Sequence, residues 1–128
     1  MYKFLVLCAL PLSACAADET ISGYVDADAI WVLRQMDQQP VHAQITLQFP
    51  AKGQARGQAP CNSYHAQQTA PLPWFQLGPI AATKRACPDL PLETRYFSAL
   101  SRATMAESTG NTLILSDDDG LELIYQRR

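Results

Sequence analysis

The sequence predicts an α+β fold that is mostly β, an antiparallel, curled or barrel-like sheet of about eight short strands with one helix packed against it. Apolar and polar residues alternate over short runs such as 45–49 and 121–125, which is the pattern of half-buried strands. One segment, residues 89–103, has instead the three- and four-residue spacing of an amphipathic helix. Short connections favour antiparallel pairing, and a chain of 128 residues forms one domain at most.

The N-terminus has the features of a bacterial export signal. Met1-Tyr2-Lys3 is a short positive region, and residues 4–12 are apolar. So short an apolar run does not cross a hydrocarbon core, which distinguishes it from a membrane-spanning helix. Residues 1–14 are therefore predicted to be a signal peptide of the lipoprotein type.

Two cleavage sites compete at the end of this segment. Leu12-Ser13-Ala14-Cys15 resembles the lipobox of bacterial lipoproteins, in which the cysteine becomes a lipidated, palmitate-bearing N-terminus. An ordinary signal peptidase would instead accept the small residues of Ala14-Cys15-Ala16 or Cys15-Ala16-Ala17. We favour lipidation because Cys15 falls where the apolar run ends. More than one acyl chain anchors stably, so the predicted partner is a membrane, reached through the lipid.

A tether is predicted between the lipid and the fold. Residues 15–29 comprise Cys15 and a small, acidic and polar stretch without hydrophobic period. The folded domain is predicted to comprise residues 30–128, beginning with an apolar, β-rich run that includes Trp31.

The predicted strands are apolar runs separated by turn residues. The third run is poor in strand propensity, and its Gly57 suggests a bulge or a close backbone approach. Pro60 must lie at a strand end because it has no N–H to donate. Trp74 and Phe75 are assigned to a strand and to the core. The runs are residues 30–33, 45–49, 54–59, 62–69, 74–77, 80–82, 104–108, 112–116 and 121–126.

One helix is predicted after Asp89, which can cap it, with Pro91 in the first turn. The face predicted to be buried consists of Leu92, Tyr96, Phe97, Leu100 and Ala103. The residues predicted to point away from the core are Glu93, Arg95, Ser98 and Arg102.

The acidic run Asp117-Asp118-Asp119-Gly120 separates the last two strands. Asp-Gly between alternating runs is a strong hairpin signal. A calcium loop of the EF-hand type would end in a glutamate, where this chain has Arg128. The prediction is therefore a solvated turn without a metal.

Cysteine usage fits export. Cys8 leaves with the signal and Cys15 takes the lipid, so Cys61 and Cys87 remain as an even pair in an oxidising compartment. They are predicted to form a disulfide that closes a loop of about 27 residues, which contributes roughly 3.5 kcal/mol. The alternative is a pair of buried free thiols.

Five motifs follow one another over about residues 30–128. They are Trp31-Val32-Leu33, Gly57…Cys61-Asn62-x-Tyr64, Ile80-Ala81-Ala82-Thr83-x-x-Ala86-Cys87, Glu93-x-x-Tyr96-Phe97-x-x-Leu100, and Leu113-x-Leu115…Asp119-Gly120…Leu123-x-Tyr125. In this order they resemble the META domain family, which includes the HslJ-like bacterial lipoproteins. Pro60 stands where the family pattern has glycine, so the conformation of this turn stays open.

The resemblance implies a mostly β domain with a helix, attached to the envelope and associated with stress responses. It implies no catalytic residues and no cofactor. By resemblance to lipoproteins of Gram-negative bacteria, Ala16 after Cys15 favours the outer membrane, with the domain facing the periplasm.

Two sets of polar residues are candidates for a site. Cys61, His65 and Cys87 would serve a thiol or metal enzyme, but this chemistry fails if the cysteines are paired. Zinc would need a fourth ligand, for which only His42 is left. The second set, Asn62 and Thr83, flanks the cysteines and either satisfies backbone groups at irregular turns or lines a ligand cleft.

The predicted function is that of a non-catalytic envelope lipoprotein with a binding or accessory role in envelope stress or integrity. The ten basic residues, against twelve acidic ones, are scattered without a basic stripe, so a nucleic-acid partner is not expected. The main alternative is a periplasmic carrier of a small apolar ligand, which would require a deep, aromatic-lined cavity.

Overall fold

The computed structural model describes residues 17–128. The predicted signal peptide and Cys15 lie outside the described residues. Within them, no helix is both long and apolar enough to span a membrane.

The nine strands and one α-helix found in residues 17–128 confirm the predicted α+β class. The strands are β1 Trp31–Met36, β2 Gln39–Pro40, β3 Thr46–Leu47, β4 Gln54–Gln58, β5 Ser63–Gln67, β6 Ala81–Ala82, β7 Met105–Thr109, β8 Thr112–Ser116 and β9 Glu122–Arg127; the helix is α1 Leu90–Arg102.

The strands form two antiparallel sheets instead of one curled or barrel-like sheet. The large sheet has the order β2-β1-β9-β8-β7, with β3 also paired to β1, and the small sheet has the order β4-β5-β6. The ladder does not continue from the large sheet into the small one because β3 has only two residues and is followed by the turn at Pro50. A single bridge, Gln48 to Arg56, joins the two sheets there.

Helix α1 packs where the two sheets meet. Its buried residues include the predicted Tyr96 and Leu100, and Pro91 lies in its first turn as expected. Asp89 is at the N-cap position, but its side chain makes no capping hydrogen bond. Glu93 was predicted to point away from the core, and this is wrong, since it is 4% exposed.

The core is filled by large side chains from both sheets and the helix. The largest fully buried ones are Trp31, Tyr96, Tyr125, Phe49, Phe75, Ile21, Leu33, Ile45, Leu47, Leu100, Leu113 and Leu115. Gly57 lets the small sheet approach β3, because a Cβ at this position would lie 1.9 Å from the carbonyl oxygen of Thr46. Residues 54–59 have a low propensity for strand formation. Residues 54–58 nevertheless form β4, because each of them pairs with a residue of β5.

Residues 74–77 differ from the prediction of a strand. Trp74 and Leu77 each form only an isolated bridge, and Trp74 is 56% exposed. Of the two aromatic residues only Phe75 turns inward, where its ring meets that of Phe49 edge to face, with centroids 6.4 Å apart. Adjacent side chains of an extended segment point to opposite sides, so only one of this aromatic pair enters the core. The assignment of Trp74 to the core was wrong.

The described part of the predicted tether packs against the domain. A 3₁₀ helix, Ile21–Gly23, buries Ile21 completely. The N–H of Leu72 donates to the carbonyl oxygen of Glu19 at 2.7 Å, which fixes the segment to the loop between β5 and β6. Burial of Ile21 offsets part of the cost of ordering this short polar stretch, and the hydrogen bonds of the segment offset more of it.

Candidate functional site

A buried carboxylate at the start of α1 is the centre of the candidate site. Glu93 lies in the first turn of the helix and faces the connection between β4 and β5. Its Oε1 accepts the backbone N–H groups of Cys61 at 3.1 Å and Asn62 at 2.8 Å. Its Oε2 accepts a hydrogen bond from Nδ2 of Asn62 at 2.7 Å. A carboxylate is tolerated in a core when its oxygens are occupied in this way.

Asn62 extends the cluster to the segment that follows β6. Its Oδ1 accepts hydrogen bonds from Oγ1 of Thr83 at 2.9 Å and from the backbone N–H of Arg85 at 2.6 Å. Its Nδ2 donates to the carbonyl oxygen of Arg85 at 3.0 Å as well as to Glu93. The side-chain amide of Asn62, which is 3% exposed, therefore uses all its donors and acceptors. These bonds hold the β4–β5 connection both to the helix and to the segment after β6.

The predicted disulfide is confirmed and lies beside this cluster. Cys61 and Cys87 are bonded across a sequence separation of 26, with their Cα atoms 5.6 Å apart. The bridge and the Asn62 amide thus hold the same segment at two points. We refer to Glu93, Asn62, Thr83 and the disulfide together as the brace cluster.

Thiol or metal chemistry at these residues would need free ligands. The sulfurs of Cys61 and Cys87 are bonded to each other, so neither is a thiolate. His65 lies on β5, paired with Arg56 across the sheet and exposed. Residues 17–128 contain no group of three or more His, Cys, Asp or Glu placed to hold a metal ion.

Three tyrosine hydroxyls form a hydrogen-bonded chain across the core. The hydroxyl of Tyr64 donates to the carbonyl oxygen of Thr46 at 2.7 Å. The Tyr96 hydroxyl lies 2.7 Å from that of Tyr64 and 2.9 Å from that of Tyr125. Tyr96 on the helix therefore joins Tyr64 of the small sheet to Tyr125 of the large one. Burial is the largest cause that raises the pKa of all three phenols well above 10.0, and charge repulsion from a neighbouring tyrosine raises each further. A hydrogen bond from a neighbouring tyrosine partly opposes the shift at Tyr96 and Tyr125.

This chain predicts a loss of stability at alkaline pH. Because the folded pKa values are raised, the unfolded chain loses these protons first, near pH 10.0. Their contribution to stability is complete below that pH and is lost as the pH rises towards the folded values. Replacing Tyr125 with phenylalanine should make the decline above pH 10.0 shallower by about 1.4 kcal/mol per pH unit. Urea unfolding over this range, with the exposed Tyr24→Phe as control, measures the slope; equal slopes in all variants would contradict the prediction.

A groove of about 910 Å³ lies between α1 and the β1–β2 hairpin. No Phe, Trp or Tyr of residues 17–128 lines it. Its lining combines both signs of charge with a few apolar groups, among them Asp37, Asp89, Arg95, Arg102, Met36 and Leu92. The core aromatics pack against one another instead, so this groove does not have the aromatic lining expected for a carrier of small apolar ligands.

The acidic run forms the predicted hairpin turn. Oδ1 of Asp117 accepts the backbone N–H groups of Asp119 at 2.9 Å and Leu121 at 2.8 Å. Gly120 adopts a positive φ of 95°, which favours glycine. The turn connects β8 to β9. The two strands pair without a register shift along the whole of β8, from Thr112 to Ser116.

Sequence reasoning identified Asn62, Thr83 and both cysteines but missed Glu93. A signal was present, since Glu93 is three residues before Tyr96 and seven before Leu100, and these spacings place all three on one face of a helix. Glu93 was nevertheless predicted to be exposed because it is charged. Its burial is possible only because donors from the distant turn at Cys61 and Asn62 bind its carboxylate. The tyrosine chain had no signal of its own, because tyrosines at core positions are ordinary.

Comparisons with known proteins agree with this fold. The family model of the META domain matches residues 26–128. An NMR structure of a protein from Burkholderia xenovorans is similar with a TM-score of 0.63 at 24% identity, over 94% of this chain and 97% of that one. The crystal structure of a DUF4847 family protein from Bacteroides vulgatus is similar with a TM-score of 0.65 at 12% identity, over 80% and 94%. A search of curated proteins finds no match. At these identities the solved structures show the fold alone.

Proposed function

Because the chain belongs to the META domain family, we propose that it is a non-catalytic accessory domain of the bacterial envelope, held there by lipid on Cys15. Its role is to bind or support envelope components under stress. Ala16, the residue that follows Cys15, favours the outer membrane by resemblance to lipoproteins of Gram-negative bacteria. The anchor in this proposal is therefore in the outer membrane, and the domain faces the periplasm.

The observation that carries this proposal is the brace cluster. Glu93, Asn62 and the two cysteines are each occupied by internal bonds, which join α1, the β4–β5 turn and the segment after β6. A catalytic group must instead keep a proton, lone pair or open position for substrate. The cluster therefore favours a structural use of these residues.

The disulfide also supports export. Disulfides persist in oxidising compartments and are rare in the bacterial cytoplasm, and this one lies in the domain that the proposed signal would deliver to the periplasm. A rival thiol or metal enzyme based on Cys61, His65 and Cys87 would need those cysteines reduced. Thiol titration of the denatured, exported protein separates the two, since the proposal expects no free thiol from Cys61 or Cys87.

The proposal predicts that anchoring is needed for the protective role. A strain lacking the gene should survive detergent and EDTA less well than its parent, and the wild-type gene should restore survival. Cys15→Ala should fail to restore it and should leave the membrane fraction, because lipid attachment is lost. The measurement is survival together with immunoblots of membrane and soluble fractions.

Cys8→Ala is the matched control, because it removes a cysteine from the predicted signal peptide and leaves Cys15 intact. It should behave as the wild type does. Full restoration by Cys15→Ala would contradict the anchor, and unchanged survival of the strain without the gene would contradict the role in envelope stress.

A further inference from the structure

The carboxylates of this chain are absent from one continuous part of it. All twelve Asp and Glu residues lie outside residues 38–88, although this segment contains Lys52, Arg56, Lys84 and Arg85. The segment includes the entire small sheet, β4–β5–β6. On a chain of formal net charge −2, the small sheet and its loops are therefore a cationic unit. The even overall balance conceals this separation.

The cations of this unit are exposed and form no salt bridge within residues 17–128. All four side chains belong to exposed residues, and the ion pair found in residues 17–128, Arg127 with Asp26, involves none of them. The outer face of the small sheet carries Arg56 opposite His65, with exposed glutamines on either side. Surface arginine and lysine side chains without protein partners are suited to contact phosphate groups.

An exposed tryptophan lies in the loop that joins β5 to β6. Trp74 is 56% exposed, next to the buried Phe75. Tryptophan, with an apolar ring system and one N–H, is the side chain enriched where membranes meet water. Two residues earlier in the loop, Leu72 bonds to Glu19, so this loop adjoins the first described residues.

The chain enters the fold beside the same unit. Desolvation alone would raise the pKa of Asp18, but hydrogen bonds from Ser22 and Thr20 and the nearby charge of Lys52 lower it. Lys52 and Leu72 thus both lie near residues 18–19. Cys15 is only two residues before Ala17, a span of at most about 7 Å. This step rests on the proposed function, in which lipid on Cys15 anchors the chain. Such an anchor holds the small sheet close to the bilayer.

We infer that the small sheet and the loop of Trp74 lie on a membrane surface of anionic phospholipids, with Arg56, Lys84 and Arg85 near headgroup phosphates and Trp74 at the interface. Lys52 contributes less because Asp18 is beside it, and Glu19 adds a second carboxylate at this end of the sheet. The groove along α1 is a weaker candidate for this surface, since it contains Asp37 and Asp89 as well as arginines. Lipid anchor and cationic face together give two attachments, and two signals hold a protein more stably than one.

The test is vesicle binding by the full chain with Cys15→Ser, which has no lipid. Co-sedimentation is measured with vesicles of phosphatidylcholine alone and with about 30% phosphatidylglycerol. We expect clear preference for the anionic vesicles, weakened by salt because the charges are screened. Replacing Arg56, Lys84 and Arg85 with glutamine should reduce this binding roughly 100-fold, at about five-fold for each cation. Trp74→Ser should reduce it about ten-fold through lost apolar contact.

The control variants remove three positive charges and one exposed apolar side chain from parts of the protein outside the small sheet. Glutamine at the exposed Arg34, Arg95 and Arg102 removes three charges outside the small sheet, and Leu90→Ser removes an exposed apolar side chain that is 38% exposed. All variants keep the same signal segment, so its contribution cancels. Equal losses in test and control sets, no preference for anionic vesicles, or equally strong binding to soluble polyphosphate would overturn the inference. Failure here leaves the lipid anchor untouched, because that is measured separately by mass.

Discussion

Replacing Glu93 with alanine is expected to lower the free energy of unfolding by about 3–5 kcal/mol. The substitution leaves the N–H groups of Cys61 and Asn62 and the Nδ2 of Asn62 without their carboxylate acceptor. Each buried donor left without an acceptor costs about 1–3 kcal/mol. The sum for the three donors stays near the lower end, because Nδ2 of Asn62 keeps its bond to the carbonyl oxygen of Arg85 and the N–H of Cys61 is only partly buried. Urea unfolding followed by tryptophan fluorescence measures the change.

The matched control for this substitution is Glu107→Ala. Glu107 is exposed on β7, so its removal should change the free energy of unfolding by about 0.5 kcal/mol or less. Asn62→Ala, alone and combined with Glu93→Ala, completes a double-mutant cycle. Because the two side chains share a bond, the double variant should lose less than the sum of the single variants. A loss below about 1 kcal/mol for Glu93→Ala would mean that the buried carboxylate does not support the fold.

Removal of the disulfide is expected to lower the free energy of unfolding by about 3.5 kcal/mol and Tm by about 10–20 °C. The cross-link restricts the unfolded chain over the sequence separation of 26 between Cys61 and Cys87. In the folded state, the Asn62 amide still holds Arg85, so the variant with serine at both cysteines should keep the native fold. Calorimetry and circular dichroism of this variant measure both effects.

The control for the disulfide is reductant. It should destabilise the wild type as much as the two serines do and should leave the serine variant unchanged. If the wild type and the serine variant unfold at the same temperature without reductant, the disulfide does not contribute to the stability of the fold.

Local patterns were sufficient where neighbours in sequence are neighbours in space. The hairpin of β8 and β9 follows from alternation on both sides of Asp119-Gly120, and the residues that alternate are the ones buried. Helix α1 begins at Leu90, directly after the predicted cap. Both elements are built from contacts within a few tens of residues, so their periodicity could be read from the chain alone.

The remaining features depend on partners distant in sequence. Strand β4 exists because β5 pairs with all of it, although its own residues favour other conformations. Glu93 is buried because the turn at Asn62, 31 residues away, brings three donors to it. Ile21 is buried because the loop at Leu72 receives the N-terminal segment, and no pattern within residues 15–29 indicates this.

For the candidate site, chemistry predicted more than periodicity did. The even cysteine pair predicted the disulfide, and polar residues beside it predicted where irregular backbone needs support. Trp74 shows the limit of residue type as evidence, because an aromatic side chain was assigned to the core when its neighbour Phe75 occupies that place. The separation of charge around residues 38–88 is visible in the sequence, but its meaning depends on the small sheet that this segment forms.

Intact mass of the native protein, extracted from its own membrane fraction with and without reduction, shows whether the protein is a disulfide-bonded lipoprotein. We expect a chain that begins at Cys15, carries acyl chains, and gains about two hydrogens on reduction as the Cys61–Cys87 bond opens. A chain that begins at Ala17 or Asp18 without lipid would contradict the anchor. A mass unchanged by reduction would contradict the disulfide and return Cys61, His65 and Cys87 to consideration as a reactive site.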